Sequence, residues 1–131
     1  MTMFSFFKKK SKYPAFRLLS TFYKKGFYFS RHTEWASVDM ENILVTDPDT
    51  LGVIPLKGWG RFIFIAATGE QTVEEFIYYL ADQYTDAIPD TLDQTIIYAL
   101  LELEKKKLVL LTNKKQPLPK EFELPGMSGS Q

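Results

Sequence analysis

Paired acidic side chains are the groups in this sequence whose spacing best suits acid and base chemistry. Three pairs place two carboxyl groups within about one helical turn of each other: Glu74 and Glu75, Asp82 and Asp86, and Glu102 and Glu104. A catalytic pair needs surroundings that separate the two pKa values, such as an apolar pocket, a metal ion or a histidine. The sequence places none of these beside the pairs, which is typical of a solvated helix face. We therefore predict that the protein is not an enzyme.

Metal and phosphate sites have equally little support. The chain has no cysteine, and its single histidine, His32, lies in a basic segment without a second histidine to complete a ligand set. Residues 47–49 (Asp-Pro-Asp) are similar to the start of a calcium loop but lack its glycine and distal glutamate, so we predict a turn. Residues 58–60 (Gly-Trp-Gly) lack the ending of a phosphate-binding loop. We expect neither a metal nor a cofactor.

Charge is distributed unevenly along the chain, although sixteen basic residues balance sixteen acidic ones. Eight basic residues precede Glu34, the first acidic residue, and ten of the twenty aromatic residues lie in the same part, residues 1–32, which we call the N-terminal extension. Its phenylalanines and lysines suit an anionic membrane surface or nucleic acid, since lysine contacts phosphates and aromatic rings stack on bases. Against duplex binding, the helix that would enter the groove begins with Asp90 and Asp93, which phosphates repel.

The best-defined element is a helix that begins at Thr72. Thr72 and Glu75 form a capping box, in which the two side chains satisfy amide groups that the first turn leaves unpaired. Apolar side chains then recur at helical spacing at Val73, Phe76, Ile77, Leu80 and Tyr84. The pattern predicts a core-facing helix that ends near Tyr84.

Composition and spacing predict three further helices and five strands. The helices are expected at residues 15–25, where Gly26 would end the helix, at residues 58–67, and after a second capping box at Thr91 and Gln94. The core-facing side chains of the last two are Phe62, Ile63, Ala66, Ile96, Ala99, Leu100 and Leu103. The strands are expected at residues 27–29, 34–38, 43–46, 51–56 and 108–111. Pro55 has no amide proton, which predicts an edge position for the strand at 51–56.

The order of these elements resembles the PqqD-like family, named after pyrroloquinoline quinone biosynthesis protein D, whose members recognise ribosomally made precursor peptides. The resemblance covers residues 35–111. The matching features are a hairpin that closes on Leu56, a helix that opens near Trp59, the stretch from Gly69 to Phe76, and Leu100 and Leu103 leading into Leu108 and Val109. The chain departs from the family pattern at two helix ends, where Lys57 replaces a capping asparagine and Lys107 replaces a glycine.

The resemblance implies an α+β fold of winged-helix-like type, in which a three-stranded antiparallel sheet packs on a three-helix bundle. The chain is accordingly divided into the N-terminal extension, a PqqD-like peptide-binding domain at residues 33–112 and a flexible C-terminal tail at residues 113–131. No stretch approaches the roughly 20 apolar residues of a membrane span, and the apolar run at residues 1–7 is too short for a secretory signal. We therefore predict a cytoplasmic protein.

The resemblance also implies a non-catalytic peptide-binding adaptor, or peptide chaperone, in a post-translational modification pathway. In the family, the leader of a precursor peptide adds a strand between the third strand and the third helix. The adaptor then presents the peptide to a maturation enzyme, commonly a radical-SAM enzyme. The residues expected to contact the peptide are Leu51, Val53, Ile54 and Leu56 on the edge strand, and Gln94, Ile97, Tyr98 and Leu101 on the outer row of the third helix.

Three alternatives stay open at the level of sequence. The first is that Ile97 and Leu101 pack on another part of the chain, for which the aromatic N-terminal extension is suited. The second is that this extension covers the groove, binds a partner or exchanges between two copies in a homodimer. The third is a winged-helix protein that binds nucleic acid, or an accessory protein that contacts a membrane peripherally through residues 1–32.

Overall fold

The computed structural model describes residues 12–126, which form six β-strands and five α-helices. The strands are β1 (Tyr28–Arg31), β2 (Trp35–Ser37), β3 (Ile43–Thr46), β4 (Val53–Leu56), β5 (Thr68–Thr72) and β6 (Val109–Thr112). The helices are α1 (Arg17–Thr21), α2 (Gly58–Ala66), α3 (Val73–Asp82), α4 (Leu92–Lys105) and α5 (Lys120–Glu123). These elements confirm a mixed α+β fold. Between residues 12 and 126, no helix has the length and apolar content needed to cross a membrane.

The three strands predicted between residues 34 and 56 form an antiparallel sheet in the order β2-β3-β4. In this sheet Val45 lies opposite Trp35 on one side and Ile54 on the other. Trp35, Ile43 and Val45 are buried, because successive side chains of a strand point to opposite faces and this set faces the helices. Among the described strands, β4 pairs with β3 alone, which confirms the edge position predicted from Pro55.

A second antiparallel sheet, in the order β5-β1-β6, was not predicted as a sheet. Its central strand β1 comes from the N-terminal extension and turns Phe29 and Arg31 into the protein interior. Strand β5 was missed because its sequence, Thr-Gly-Glu-Gln-Thr, has neither an apolar alternation nor large β-formers. Gly69 within it has φ +83° and a Cβ there would lie 2.9 Å from the backbone oxygen of Gln116, so only glycine fits.

Helix α3 begins as predicted, with a reciprocal capping box. The backbone N–H of Glu75 donates to the Thr72 hydroxyl at 3.1 Å, and the N–H of Thr72 donates to the Glu75 carboxylate at 2.9 Å. The stripe from Val73 to Leu80 is buried. The prediction was wrong for Tyr84, which lies past the end of the helix and is exposed.

Helix α4 begins without the predicted capping box. Thr91 has φ −105° and ψ 12°, not the extended backbone that aims a capping hydroxyl at the first turn, and its side chain makes no capping bond. The buried carboxylate of Asp93 accepts instead from the N–H of Gln94 at 2.9 Å and from the N–H of Leu19 at 2.9 Å. This contact spans 74 residues, so a local pattern could not reveal it.

Helix α2 turns Ile63 and Ala66 towards the core as predicted, but the prediction was wrong for Phe62. Ile63 and Phe64 are fully buried, whereas Phe62, predicted to face inward, is 41% exposed. Phe64 packs edge to face on Trp35 with ring centroids 5.9 Å apart. Phe62 stacks at the margin of the core on Phe76, with centroids 6.0 Å apart.

The described part of the N-terminal extension packs on the rest of the molecule. Phe16, Leu19, Phe22 and Phe29 are buried in the same core as the helices. The predicted helix is shorter than expected: α1 ends at Thr21, because Phe22 adopts an extended backbone (ψ 117°). Residues 1–11 lie outside the described residues.

The described part of the C-terminal tail also lies against the domain. Helix α5 is held at its carbonyl groups by the guanidinium of Arg31 and the indole of Trp35. This contact was not predicted, because the tail sequence is polar and rich in proline. Residues 127–131 lie outside the described part of the chain.

Candidate peptide-binding surface

A closed turn leads into the candidate edge strand β4. The backbone N–H of Asp47 donates to the carbonyl of Gly52, and that of Leu51 donates to the carbonyl of Asp47, each at 2.8 Å. The Asp47 carboxylate also accepts from the N–H of Asp49 at 2.8 Å. Leu51 takes a left-handed backbone with φ +65° to complete the turn. The turn predicted at residues 47–49 is thus confirmed, and it fixes the start of β4.

The backbone groups of β4 alternate between the sheet and the outer side. Thr46 donates its N–H to Glu34 on the β2 side, and Asp47 donates to Gly52 on the β4 side. Because hydrogen-bonded pairs alternate along antiparallel strands, the groups of Ile54 and Leu56 face β3, while those of Val53 and Pro55 face outward. The free edge therefore offers one donor, the N–H of Val53, and two acceptors, the carbonyls of Val53 and Pro55.

The side chains of the four candidate residues near β4 divide into two groups. Leu51 and Val53 are 78% and 65% exposed, so a ligand can reach both. Ile54 is half-buried against the core, and Leu56 is buried. The last two therefore anchor the strand, whereas the first two are accessible apolar contacts.

The candidate row on α4 is also divided. Gln94 is exposed and Tyr98 is 61% exposed, whereas Leu101 is half-buried. The expectation of an outer row is wrong for Ile97, which is 1% exposed and belongs to the core.

The N-terminal extension explains the burial of Ile97. Asp93, Ile97 and Glu104 are spaced by four and seven residues, so they lie on one side of α4. The extension contacts this side through the Leu19 N–H on Asp93 and through Lys24, whose ammonium group lies 2.9 Å from the Glu104 carboxylate. Helix α1 of the extension also packs on α4, so the burial of Ile97 favours the alternative in which this row packs on the extension.

The end of α4 is tied to the turn before β4. The ammonium group of Lys107 lies 3.2 Å from the Asp49 carboxylate, and both side chains are largely exposed. Lys107 has φ +66°, and the N–H groups of Lys107 and Leu108 donate to the carbonyls of Glu104 and Leu103 at 2.9 and 3.0 Å. This is a Schellman motif with lysine at the left-handed position that usually holds glycine.

An apolar cleft of about 480 Å³ opens just past the end of β4 and was not predicted. It lies between the start of α2 and the end of α3 and is lined by Gly58, Trp59, Phe62, Leu80, Gln83 and Tyr84. No sequence signal indicated this cleft, because Phe62 was predicted to face the core and is instead 41% exposed beside Trp59.

The acidic residues serve structural contacts. Asp82 accepts from Lys12 at 2.8 Å and from the hydroxyl of Tyr13 at 2.7 Å, and these hydrogen bonds lower the pKa of its carboxyl group. The pKa of Asp39 is lowered by the N–H groups of Glu41 and Asn42 and by the Asn42 side chain, within a surface turn. Within residues 12–126, no three histidine or acidic side chains converge as a metal site.

Comparison with known proteins was made for the whole chain. No protein-family model, curated protein or solved structure matches it. The candidate functional surface is therefore defined by the geometry of this chain alone. That surface consists of the β4 edge, the exposed side chains of Gln94 and Tyr98, and the apolar cleft.

Proposed function

We propose that this chain is a non-catalytic adaptor that binds an extended peptide by strand addition at the free edge of β4. The observation that carries the proposal is the outer edge at Val53 and Pro55, which no described strand pairs, with exposed apolar side chains on it and an apolar cleft at its end. An exposed edge of this kind is a template for a further strand.

We also propose a PqqD-like, winged-helix-type arrangement for this domain. Support comes from the element order, in which the meander β2-β3-β4 precedes α2, α3 and α4, and from the packing of α4 on both other helices. The central strand β1 in the second sheet is an addition from the N-terminal extension.

The energetics require side-chain anchors in addition to backbone pairing. Three outward groups on β4 permit three hydrogen bonds, each with a net contribution of about 0.5–1.5 kcal/mol. Association of two molecules costs more than this sum, so apolar burial must supply the rest. Leu51 and Val53 offer apolar contacts on the strand, and the cleft beside Trp59 can accept a peptide side chain.

The resemblance to the PqqD-like family supplies the biological role in this proposal. The bound peptide is the leader of a precursor peptide, and the adaptor presents it in the cytoplasm to a maturation enzyme of the radical-SAM type. In the described part of the N-terminal extension, Lys12 and Lys24 are paired with Asp82 and Glu104, which disfavours phosphate binding by these two lysines.

A titration of the full ¹⁵N-labelled chain with synthetic leader peptides, taken from precursor genes beside its own, tests the function. We expect saturable shifts at Leu51, Val53, Tyr98 and Trp59. The variant Val53→Pro removes the single outward donor, and Val53→Thr keeps that donor with a similar shape. Binding should weaken about two- to tenfold in the first variant and remain nearly unchanged in the second. Equal binding by both variants would contradict strand addition.

A further inference from the structure

The C-terminal segment 117–126 is attached to the domain through its backbone. Arg31 donates from Nε to the carbonyl of Phe122 at 2.8 Å and from Nη2 to the carbonyl of Glu123 at 2.9 Å. The Trp35 indole donates to the same Phe122 carbonyl at 3.2 Å. The N–H of Gly126 donates to the carbonyl of Trp35. These hydrogen bonds involve backbone carbonyl and amide groups of the segment, which every peptide has.

The Gly126 contact lies at the free edge of β2, opposite the β4 edge in the same sheet. Thr46 and Glu34 form a hydrogen-bonded pair between β3 and the β2 side. Because such pairs alternate along antiparallel strands, the neighbouring pair of Val45 and Trp35 is not hydrogen-bonded. The Trp35 carbonyl therefore points away from β3. The segment thus meets this edge as an added peptide does.

Arg31 divides its donors between the fold and the segment. Its Nη1 donates to the Ile65 carbonyl at 2.6 Å, at the end of α2, where helix carbonyls lack partners within the helix. The guanidinium also lies over Trp35, 5.3 Å from the ring centroid. Arg31 is 4% exposed, and within residues 12–126 no carboxylate lies within ion-pair distance of it.

Apolar and polar side chains complete a cavity of about 460 Å³ at this position. Arg31, Thr68 and Glu70 belong to the domain side, and Pro117, Leu118, Glu123 and Leu124 to the segment side. The ring of Phe122 packs edge to face on His32 with centroids 5.9 Å apart. If the segment leaves, Nε and Nη2 of Arg31 lose their acceptors, so any replacement must bring oxygen atoms of its own.

We propose that Arg31 and Trp35 form a second peptide-binding site, filled in this chain by residues 117–126. A separate peptide with an aromatic residue followed by an acidic one, between prolines, takes the same place when it displaces the segment. Its backbone carbonyls supply the acceptors that Nε and Nη2 of Arg31 lose when the segment leaves. This site does not depend on the β4 edge.

A synthetic peptide of residues 115–126, added to the full ¹⁵N-labelled chain, tests this site. The apparent dissociation constant equals the intrinsic one divided by the fraction of chains whose own segment is displaced. Phe122→Ala in the chain loosens the attached segment and should tighten peptide binding at least about fivefold. Lys120→Ala is the matched control, because Lys120 is exposed, and should leave binding unchanged.

The indole N–H signals separate this site from others, since the chain has two tryptophans. A saturable shift of the Trp35 indole signal, with the Trp59 signal unmoved, supports the proposal. A peptide in which Phe122 is replaced by alanine should bind about fivefold or more weakly. No shift at Trp35 in the Phe122→Ala chain at millimolar peptide, or a shift at Trp59 alone, would overturn the proposal. Unfolding of the Phe122→Ala chain would also overturn it, because the segment would then be part of the fold.

Discussion

The two edges of the sheet β2-β3-β4 differ in how their outward backbone groups are satisfied. On β2, the carbonyl of Trp35 accepts from Gly126 in the C-terminal segment. On β4, the groups of Val53 and Pro55 face outward without such a cover in the described range. Folded proteins usually cover their sheet edges or blunt them with proline or charge. Within the described residues, the chain covers one edge with its own tail and leaves the other partly blunted by Pro55, and this difference is why we propose the open edge as the peptide-binding site.

Proline substitutions on β4 should produce the largest effect and test the alternation of its backbone groups. Ile54→Pro removes an N–H that faces β3 and should destabilise the fold by about 3 kcal/mol or more. Val53→Pro removes an outward N–H and should cost less than about 1 kcal/mol. Urea denaturation of the two variants measures the difference. Equal costs would mean that the assigned register is wrong.

Arg31 is the main link of the covered edge and should give the next largest effect. Arg31→Leu removes the donor from the carbonyls of Ile65 and Glu123 and one of the two donors from that of Phe122, which should cost about 2–4 kcal/mol. Arg17→Leu, at an exposed position, should change the free energy of unfolding by less than about 0.5 kcal/mol. Thermal unfolding compares both. A small loss of stability in Arg31→Leu would show that the covered edge does not depend on the hydrogen bonds of Arg31.

Lys107 connects α4 to the turn before the open edge, and its substitution should stabilise the protein. Lys107→Gly relieves a left-handed backbone in a lysine and should add about 1 kcal/mol relative to Lys107→Ala, which loses the same ion pair but keeps the strained backbone. Denaturant unfolding of both variants gives the difference. If alanine and glycine are equal there, the Schellman geometry at this residue is incorrect.

The smallest expected effect concerns Asp82, which holds the start of the described extension. Hydrogen bonds from Lys12 and Tyr13 lower the pKa of its carboxyl group below the value of about 3.9 for an unfolded chain. Its contribution is therefore present above that value and is lost as pH falls through the lower, folded pKa. The NMR signals of Tyr13 and its neighbour Tyr78 should report this release. Asp82→Asn should give a weaker acid transition at these signals, and an unchanged one would contradict the tether.

The sequence predicted those parts of the fold that short-range patterns determine. The capping box of Thr72 and Glu75, the buried stripe of α3 and the strand at Ile43–Thr46 all follow from neighbours within a few residues. The parts that escaped prediction depend on contacts across the chain. The Asp93 carboxylate accepts from the distant N–H of Leu19, and strand β5 forms because it pairs with β1. A local pattern has no information about such partners.

The candidate site shows the same division. Asp47 predicted the turn at residues 47–49, and Pro55 predicted the edge position of β4, because the effects of turn residues and proline are local. The burial of Ile97 was not, because the extension that packs along α4 is far away in sequence. The hydrogen bond from Arg31 to α5 could not be predicted for the same reason.

Amide hydrogen exchange at Val53 and Ile54 tests the open edge most directly. In the free chain, the N–H of Val53 should exchange quickly because it faces water, and that of Ile54 should exchange slowly because it donates to β3. Saturation with a binding leader peptide should slow exchange at Val53 and leave Ile54 unchanged. Slow exchange at Val53 in the free chain, or no protection of Val53 in the complex, would contradict strand addition at β4.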